Sequence, residues 1–259
     1  TSLEQSSKMI TEFSFNNLID KLSENSIKVL EALFIEDNAD RYRLCEMLTL
    51  SLDDIIDSIN ELSRTSLIIR EDKDVETLKL SSSIRDYLVC SPRNLSIREE
   101  IQEQLVKVKT LSAEIDRNQY HQEIDEYSLN YIPNKINNKF KLLLNKINTS
   151  FKNNRKNLDP IVSSNLLKEL NVVQDLHKNE YLYYRSRGRL YESLRATTDA
   201  IKSYKKAISL NNEDYVSIAL LANVNFSILK IYEKSEELYY TIIEKKVAGK
   251  NNWLGRKVI

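Results

Sequence analysis

The chain has 259 residues and carries 38 basic and 38 acidic side chains. Its three glycines and three prolines are far fewer than the usual shares of roughly 7% and 5%, so tight turns are few and the composition predicts long helices. Two cysteines exclude a disulfide framework. The N-terminus lacks the order of a signal peptide, and no apolar run approaches the ~18 residues that indicate a membrane span. We therefore expect a cytoplasmic protein without a membrane partner.

The N-terminal third predicts a small helical domain with a hairpin. Residues 26–35 place apolar side chains at helical spacing, and YRLCEML predicts a second short helix. Ser51 precedes a third helix, where it can cap the N-terminus. The runs LIIR and ETLKLS flank a polar tip, which indicates a β-hairpin, and SSSIRDYLV predicts a closing helix. This order predicts a winged-helix domain over residues 1–91.

The charges of this domain disfavour nucleic acid as its partner. The third helix of a winged helix commonly enters the major groove. Here it carries Asp53, Asp54, Asp57 and Glu61 against Arg64 alone, and the hairpin tip EDKDVE is also acidic. Because a DNA-contacting surface must be basic, we predict protein contact instead. The alternative is a DNA-binding regulator that uses two basic residues of this domain, Arg64 and Lys73.

Residues 92–160 predict a helical connector. A charged helix is expected over 95–119, a break near 131–133, and then an amphipathic helix in a stretch that is basic from 135 to 156. This stretch is a second nucleic-acid candidate, although its apolar residues at helical period favour a solvated positive face. Its candidate phosphate contacts are Lys135, Lys139, Lys141 and Lys146. Asp159 and Pro160 then predict the start of the next helix.

The C-terminal part, residues 161–259, predicts a tetratricopeptide-like α-solenoid. Gly188 and Tyr191 are followed by Ala200, Tyr204 and Ala207, which is the small-residue and aromatic spacing that two closely crossing helices need. A weaker copy follows about 35 residues later. Such repeats form binding surfaces and perform no chemistry, so this region predicts recognition of another protein.

No catalytic residue, cofactor or metal site is predicted, and the chain is not expected to be an enzyme. Neither a phosphate loop nor a dinucleotide fingerprint occurs, and three glycines cannot supply one. His121 and His177 lack the spacing of zinc ligands. Cys45 and Cys90 are interpreted as small hydrophobic residues that are buried.

A partner site is predicted on the helix expected over 181–194. Leu182, Arg185, Arg189 and Glu192 recur at steps of three and four, so they share one helical face. Two arginines one turn apart make a fork suited to carboxylates. We hypothesise that this face binds an acidic peptide or the acidic winged helix of the same protein. The alternative is that both arginines are solvated.

The order of winged helix, connector and tetratricopeptide repeats resembles the part of signal-transducing STAND ATPases that follows their nucleotide-binding core. The segments ELSRTSLIIR and SSSIRDYLV are similar to that family's third helix, first wing strand and closing helix. The resemblance implies a winged helix that packs on the ATPase core as a lever and repeats that sense a ligand or partner. Members of the family include apoptotic switches, bacterial regulators and antiviral-defence proteins. We therefore expect a regulatory piece of a larger switch protein, with any ATPase core elsewhere; the alternative is a winged-helix transcription regulator with a repeat-type sensor.

Overall fold

A computed structural model describes residues 13–71, 76–90, 93–154, 158–247 and 253–258. The described part is mainly helical, as predicted, and its only sheet has two strands. The chain forms two compact units, Thr1–Val108 and Lys109–Ile259. The divide between them lies inside a long helix, later than the domain boundary predicted at residue 91.

Unit 1 contains the helices and the hairpin in the predicted order. After a helical segment at 13–19, its elements are α1 (Glu24–Ile35), α2 (Arg41–Leu48), α3 (Leu52–Arg64), β1 (Ile68–Glu71), β2 (Thr77–Leu80), α4 (Ser82–Cys90) and the beginning of α5 (Leu95–His121).

Side-chain caps explain where the first three helices begin. The Ser23, Asp40 and Ser51 side chains each accept a hydrogen bond from the backbone N–H three residues later. Such caps satisfy amide groups that would otherwise lack a partner at a helix start. The role predicted for Ser51 is therefore confirmed.

The hairpin of unit 1 is antiparallel, with Ile68 opposite Leu80. An additional bridge joins Ala39, between α1 and α2, to Leu78 of β2. Leu78 and Leu80 face a core of fully buried side chains from α1 to α4. Lys73, at the predicted hairpin tip, lies outside the described residues.

The beginning of α5 belongs to unit 1 because a buried ion pair fastens it to α1. Arg98 Nε donates to Glu31 Oε2 over 2.7 Å, and the Arg98 guanidinium lies 3.6 Å from the centre of the Phe34 ring. Burial raises the pKa of Glu31, while the hydrogen bond from Arg98 counteracts that rise. This contact accounts for a divide that falls inside α5 instead of at its start.

Glu61 provides a pH-dependent link between α3 and the start of α1. Its carboxylate accepts hydrogen bonds from the Ser23 hydroxyl at 2.6 Å and from the Ser26 hydroxyl, which hold the pKa of Glu61 below its ordinary value of 4.5. Glu61→Gln should lower the free energy of unfolding by about 1 kcal/mol at pH 7. Because the pKa is lowered in the folded state, the deficit should be complete above pH 4.5 and vanish as the pH falls through the folded pKa.

Urea denaturation of the unmodified chain and of the Glu61→Gln variant between pH 3 and pH 7 would measure this deficit in the free energy of unfolding. A deficit of the same size throughout that range would contradict the assigned role of the carboxylate.

Unit 2 contains the remainder of α5 and a succession of helices. These are α6 (Asn138–Asn153), α7 (Pro160–Val172), α8 (Gln174–His177), α9 (Tyr181–Ser193), α10 (Thr197–Leu210), α11 (Tyr215–Val224), a π-helical turn (Asn225–Leu229), α12 (Tyr232–Glu244) and α13 (Gly255–Val258). Asp159 caps α7, and Pro160 occupies its first turn, as predicted. No helix in the described part of the chain is long and apolar enough to cross a membrane.

Helices α9 to α12 pack each against the next. The approach of α9 to α10 is very close at Gly188. A Cβ atom placed on this glycine would lie 2.4 Å from Cε1 of Tyr204, which is far inside the contact distance of two carbon atoms. Ala200, Tyr204 and Ala207 are all fully buried at the same interface region. The absence of a side chain at Gly188 therefore permits this helix crossing.

Candidate protein-interaction site

The predicted arginine face of α9 is covered inside unit 2. Arg185 is 4% exposed, and its guanidinium makes two hydrogen bonds to the fully buried carboxylate of Asp214, one of them 3.2 Å long from Nε. Asp214 also caps α11 by accepting from the Ser217 backbone N–H. Arg185 therefore has an intramolecular carboxylate partner and is not available as half of an open fork.

Arg189 is likewise engaged by α6. Its Nη1 donates to Asn148 Oδ1 over 2.6 Å, and its guanidinium lies 4.4 Å from the centre of the Phe151 ring. Burial lowers the pKa of Arg189 to about 10, so the side chain still carries its charge at neutral pH. Leu182 is also buried, and Glu192 accepts a 2.8 Å hydrogen bond from the Tyr204 hydroxyl. The prediction that this face is open is therefore wrong, because α6 and the start of α11 cover it.

The lysines proposed as phosphate contacts differ widely in exposure. Lys141 is 1% exposed and donates to Asp116 and to the Asn134 carbonyl, so its prediction as a nucleic-acid contact is wrong. Lys146 is exposed and paired with Glu169. Lys135 is exposed and Lys139 is half-buried. These side chains do not form one uniformly accessible basic surface.

The third helix of unit 1 exposes three of its four acids. Asp53, Asp54 and Asp57 are solvent-exposed on α3, and Arg64 is exposed at its last residue. Asp54 also accepts a hydrogen bond from the Ser51 hydroxyl. An exposed row of three carboxylates would repel the phosphates of a DNA groove.

The isolated histidines and cysteines have different surroundings. His177 is buried, stacks on Phe140 with ring centres 4.0 Å apart and hydrogen-bonds to Glu180. Cys45 is buried, and burial raises the pKa of its thiol to about 11. Cys90 is exposed at the end of α4, so its predicted burial is wrong. No group of three or more potential metal ligands occurs within the described residues.

An exposed apolar surface lies on the π-helical turn and α12, and we call it the aromatic face. Seven large apolar side chains between residues 226 and 243 are each 38 to 55% exposed. A groove of about 380 Å³ crosses this surface. The exposed residues are Phe226, Ile228, Leu229, Ile231, Tyr232, Tyr240 and Ile243. The groove is lined by Phe226, Tyr232, Ser235, Glu236, Tyr239, Tyr240 and Ile243.

Local backbone geometry creates this surface. The π-helical turn widens the end of α11, and it closes where Lys230 adopts a left-handed conformation with φ of 60°. The Ile231 N–H then bonds to the Asn225 carbonyl over 2.9 Å. This turn sets the ring of Phe226 edge-to-face against Tyr232, with ring centres 5.4 Å apart. π-Helical turns and left-handed non-glycine residues are both frequent at functional sites.

The helix beneath the aromatic face carries charges of both signs. α12 contains Glu233, Glu236, Glu237, Glu244 and Lys234, and with the flanking Lys230, Lys245 and Lys246 the segment 230–246 has no net charge. Within the described residues, none of these four carboxylates takes part in an ion pair. Among the described residues that line the groove, Glu236 is the one that is charged. The site therefore combines aromatic rings with a carboxylate that has no counter-ion in the described part of the chain.

The sequence contained a partial signal for this surface. The segment from Phe226 to Ile243 is rich in aromatic and branched residues, and in the weaker repeat copy Phe226 stands where Tyr191 stands in the clearer one. The structure leaves Phe226 53% exposed. The signal that would have indicated this surface is the number of large apolar residues in the segment, which exceeds the number that one helical stripe can bury.

Comparison with known proteins gave no match: no family model, no characterised protein and no solved structure is significantly similar to this chain.

Proposed function

We propose that this chain is a protein-binding, regulatory part of a larger STAND-like switch protein and performs no catalysis itself. In this proposal residues 1–91 form a winged-helix lever, and residues 161–259 form a tetratricopeptide-like surface that senses or binds a partner. The observation that carries the proposal is the aromatic face of unit 2, because a contiguous patch of exposed apolar side chains commonly marks a protein-interaction site.

The geometry of unit 1 supports the winged-helix assignment. Three helices precede an antiparallel hairpin, and the bridge from Ala39 to Leu78 joins the segment between the first two helices to that hairpin. The exposed acids of α3 favour a protein partner over DNA.

The packing of unit 2 supports the repeat assignment. Gly188 and Tyr204 meet at a crossing too close for any larger residue, and Ala200 and Ala207 are fully buried beside them. Paired helices that stack on their neighbours are the structural unit of such repeats. Their outer surfaces are free to bind other proteins.

The aromatic face takes the role that the sequence assigned to Arg185 and Arg189. Protein interfaces are enriched in exposed tyrosine and phenylalanine, and such residues commonly dominate the binding energy. Phe226, Tyr232 and Tyr240 lie close enough along the turn and α12 to act as one anchor cluster. We therefore place the principal partner contact on this face.

A site-specific photocrosslinking experiment tests this function. p-Benzoylphenylalanine at Leu229, on the aromatic face, should crosslink a partner in cells, whereas the same group at the exposed Tyr120 should not. The purified partner should then bind the unmodified chain. The double substitution Tyr232→Ser and Tyr240→Ser should weaken that binding by about tenfold or more, since anchor residues typically contribute that much.

Tyr120→Ser is the matched control, and its binding should equal that of the unmodified chain. Circular dichroism should show that all variants keep their helicity. Binding of the purified partner that is insensitive to the double substitution would contradict the proposal, as would the absence of any crosslinked partner.

A further inference from the structure

We infer that the segment bound by the aromatic face is a basic amphipathic helix of the partner, with a lysine or arginine side chain seated in the groove beside Glu236. This inference rests on the proposed function and specifies the chemistry of the partner. It follows from the aromatic rings that line the groove and from the carboxylate of Glu236 among them.

Covering Glu236 with a partner has an electrostatic cost. Its carboxylate lines an otherwise uncharged groove and has no ion-pair partner in the described part of the chain. A purely apolar partner would remove this carboxylate from water without compensation, which is strongly unfavourable. A partner that places a cation at this point avoids the penalty.

The aromatic rings of the groove also favour a basic side chain. Phe226, Tyr232, Tyr239 and Tyr240 all contribute to the groove. The faces of such rings carry negative electrostatic potential and attract ammonium and guanidinium groups. The same rings pack against the methylene groups of a lysine or arginine side chain. The groove therefore complements both the stem and the charged end of one basic residue.

The segment around the groove carries no net charge, because its four glutamates are balanced by Lys230, Lys234, Lys245 and Lys246. The preference for a cation therefore comes from Glu236 in the groove itself. The groove residues from Tyr232 to Ile243 span about 16 Å at the rise of 1.5 Å per residue. That length matches about three turns of a bound helix, whose apolar anchors recur at three- and four-residue steps.

Three synthetic helical peptides of equal length provide the test with the full chain. All carry the same leucine stripe, and their flanking positions are lysine, glutamine or glutamate. Fluorescence anisotropy at low and moderate salt should show the lysine peptide binding about tenfold or more tightly than the glutamate peptide, an expectation based on typical cation–aromatic and ion-pair contributions. Its affinity should fall as salt rises.

Two pairs of variants locate the effect. Glu236→Gln should weaken the lysine peptide by about fivefold or more, whereas Glu237→Gln should weaken it less than about twofold. Glu237 is the matched control because it lies on the same helix and its substitution changes the net charge equally, yet it does not line the groove. Tyr240→Phe should retain binding and Tyr240→Leu should reduce it, because only the former keeps a ring face.

Each other outcome overturns the inference. Equal binding of all three peptides, lost in the Tyr232→Ser and Tyr240→Ser double variant, would mean an apolar docking face without cation recognition and would leave the proposed function standing. Equal effects of Glu236→Gln and Glu237→Gln would show that the preference for the lysine peptide comes from the overall charge of the protein and not from a cation seated beside Glu236. Preference for the glutamate peptide, or failure to bind the lysine peptide, would also exclude a basic partner. The proposed function is tested separately, and it would be contradicted if no partner were crosslinked at Leu229.

Discussion

Replacing Gly188 with alanine should lower the free energy of unfolding of unit 2 by about 1–3 kcal/mol, the range expected for overpacking a core. The new Cβ would lie 2.4 Å and 2.6 Å from two ring carbons of Tyr204. The ring cannot easily yield, because Tyr204 is fully buried and its hydroxyl donates to Glu192. Urea denaturation followed by circular dichroism would measure the loss.

A double-mutant cycle isolates the steric cause of this loss. Tyr204→Leu alone should also destabilise the protein, because it removes a buried ring. In the Tyr204→Leu background, however, Gly188→Ala should cost much less than it does in the unmodified chain, since the clashing atoms are gone. Additive effects of the two substitutions would show that the close helix crossing does not explain the requirement for glycine.

Replacing Asp214 with alanine should lower the free energy of unfolding by about 3–5 kcal/mol, the usual consequence of removing one partner of a buried ion pair. Arg185 would remain in its buried position without a carboxylate, and its Nη1 already lacks a hydrogen-bond partner within the described residues. The substitution would also remove the cap of α11 at Ser217. Thermal and urea denaturation would both register the change.

Two controls separate the buried charge from other effects. Glu169→Ala breaks the ion pair with Lys146, whose side chains are 46% and 56% exposed, and it should cost less than about 1 kcal/mol. The double substitution Arg185→Met and Asp214→Leu should recover much of the lost stability, because packed apolar residues can replace a buried pair. Similar losses for Asp214→Ala and Glu169→Ala would contradict the assigned burial.

These two contacts also connect the scaffold to the aromatic face. Asp214 fixes the beginning of α11, and α11 continues directly into the π-helical turn that carries Phe226. The buried arginines of α9 are thus part of the packing that supports the aromatic face.

The sequence by itself determined the features that depend on short-range interactions. The caps Ser51 and Asp159 bond to amides within three residues, so the helix starts they mark could be recognised locally. The absence of a Cβ at Gly188, followed by Ala200 and Tyr204, indicated a close crossing of two consecutive helices. These features need no knowledge of any distant residue.

Only the tertiary structure decided which helical faces are covered. Periodicity showed that Arg185 and Arg189 share a face, but their burial depends on Asp214 and Asn148, which lie 29 and 41 residues away along the chain. The exposure of Phe226 likewise depends on a π-helical turn that the helical period did not predict. Side-chain spacing specifies which residues point in the same direction, whereas the segments that pack over them are set by long-range contacts, and those contacts determine which surface stays exposed.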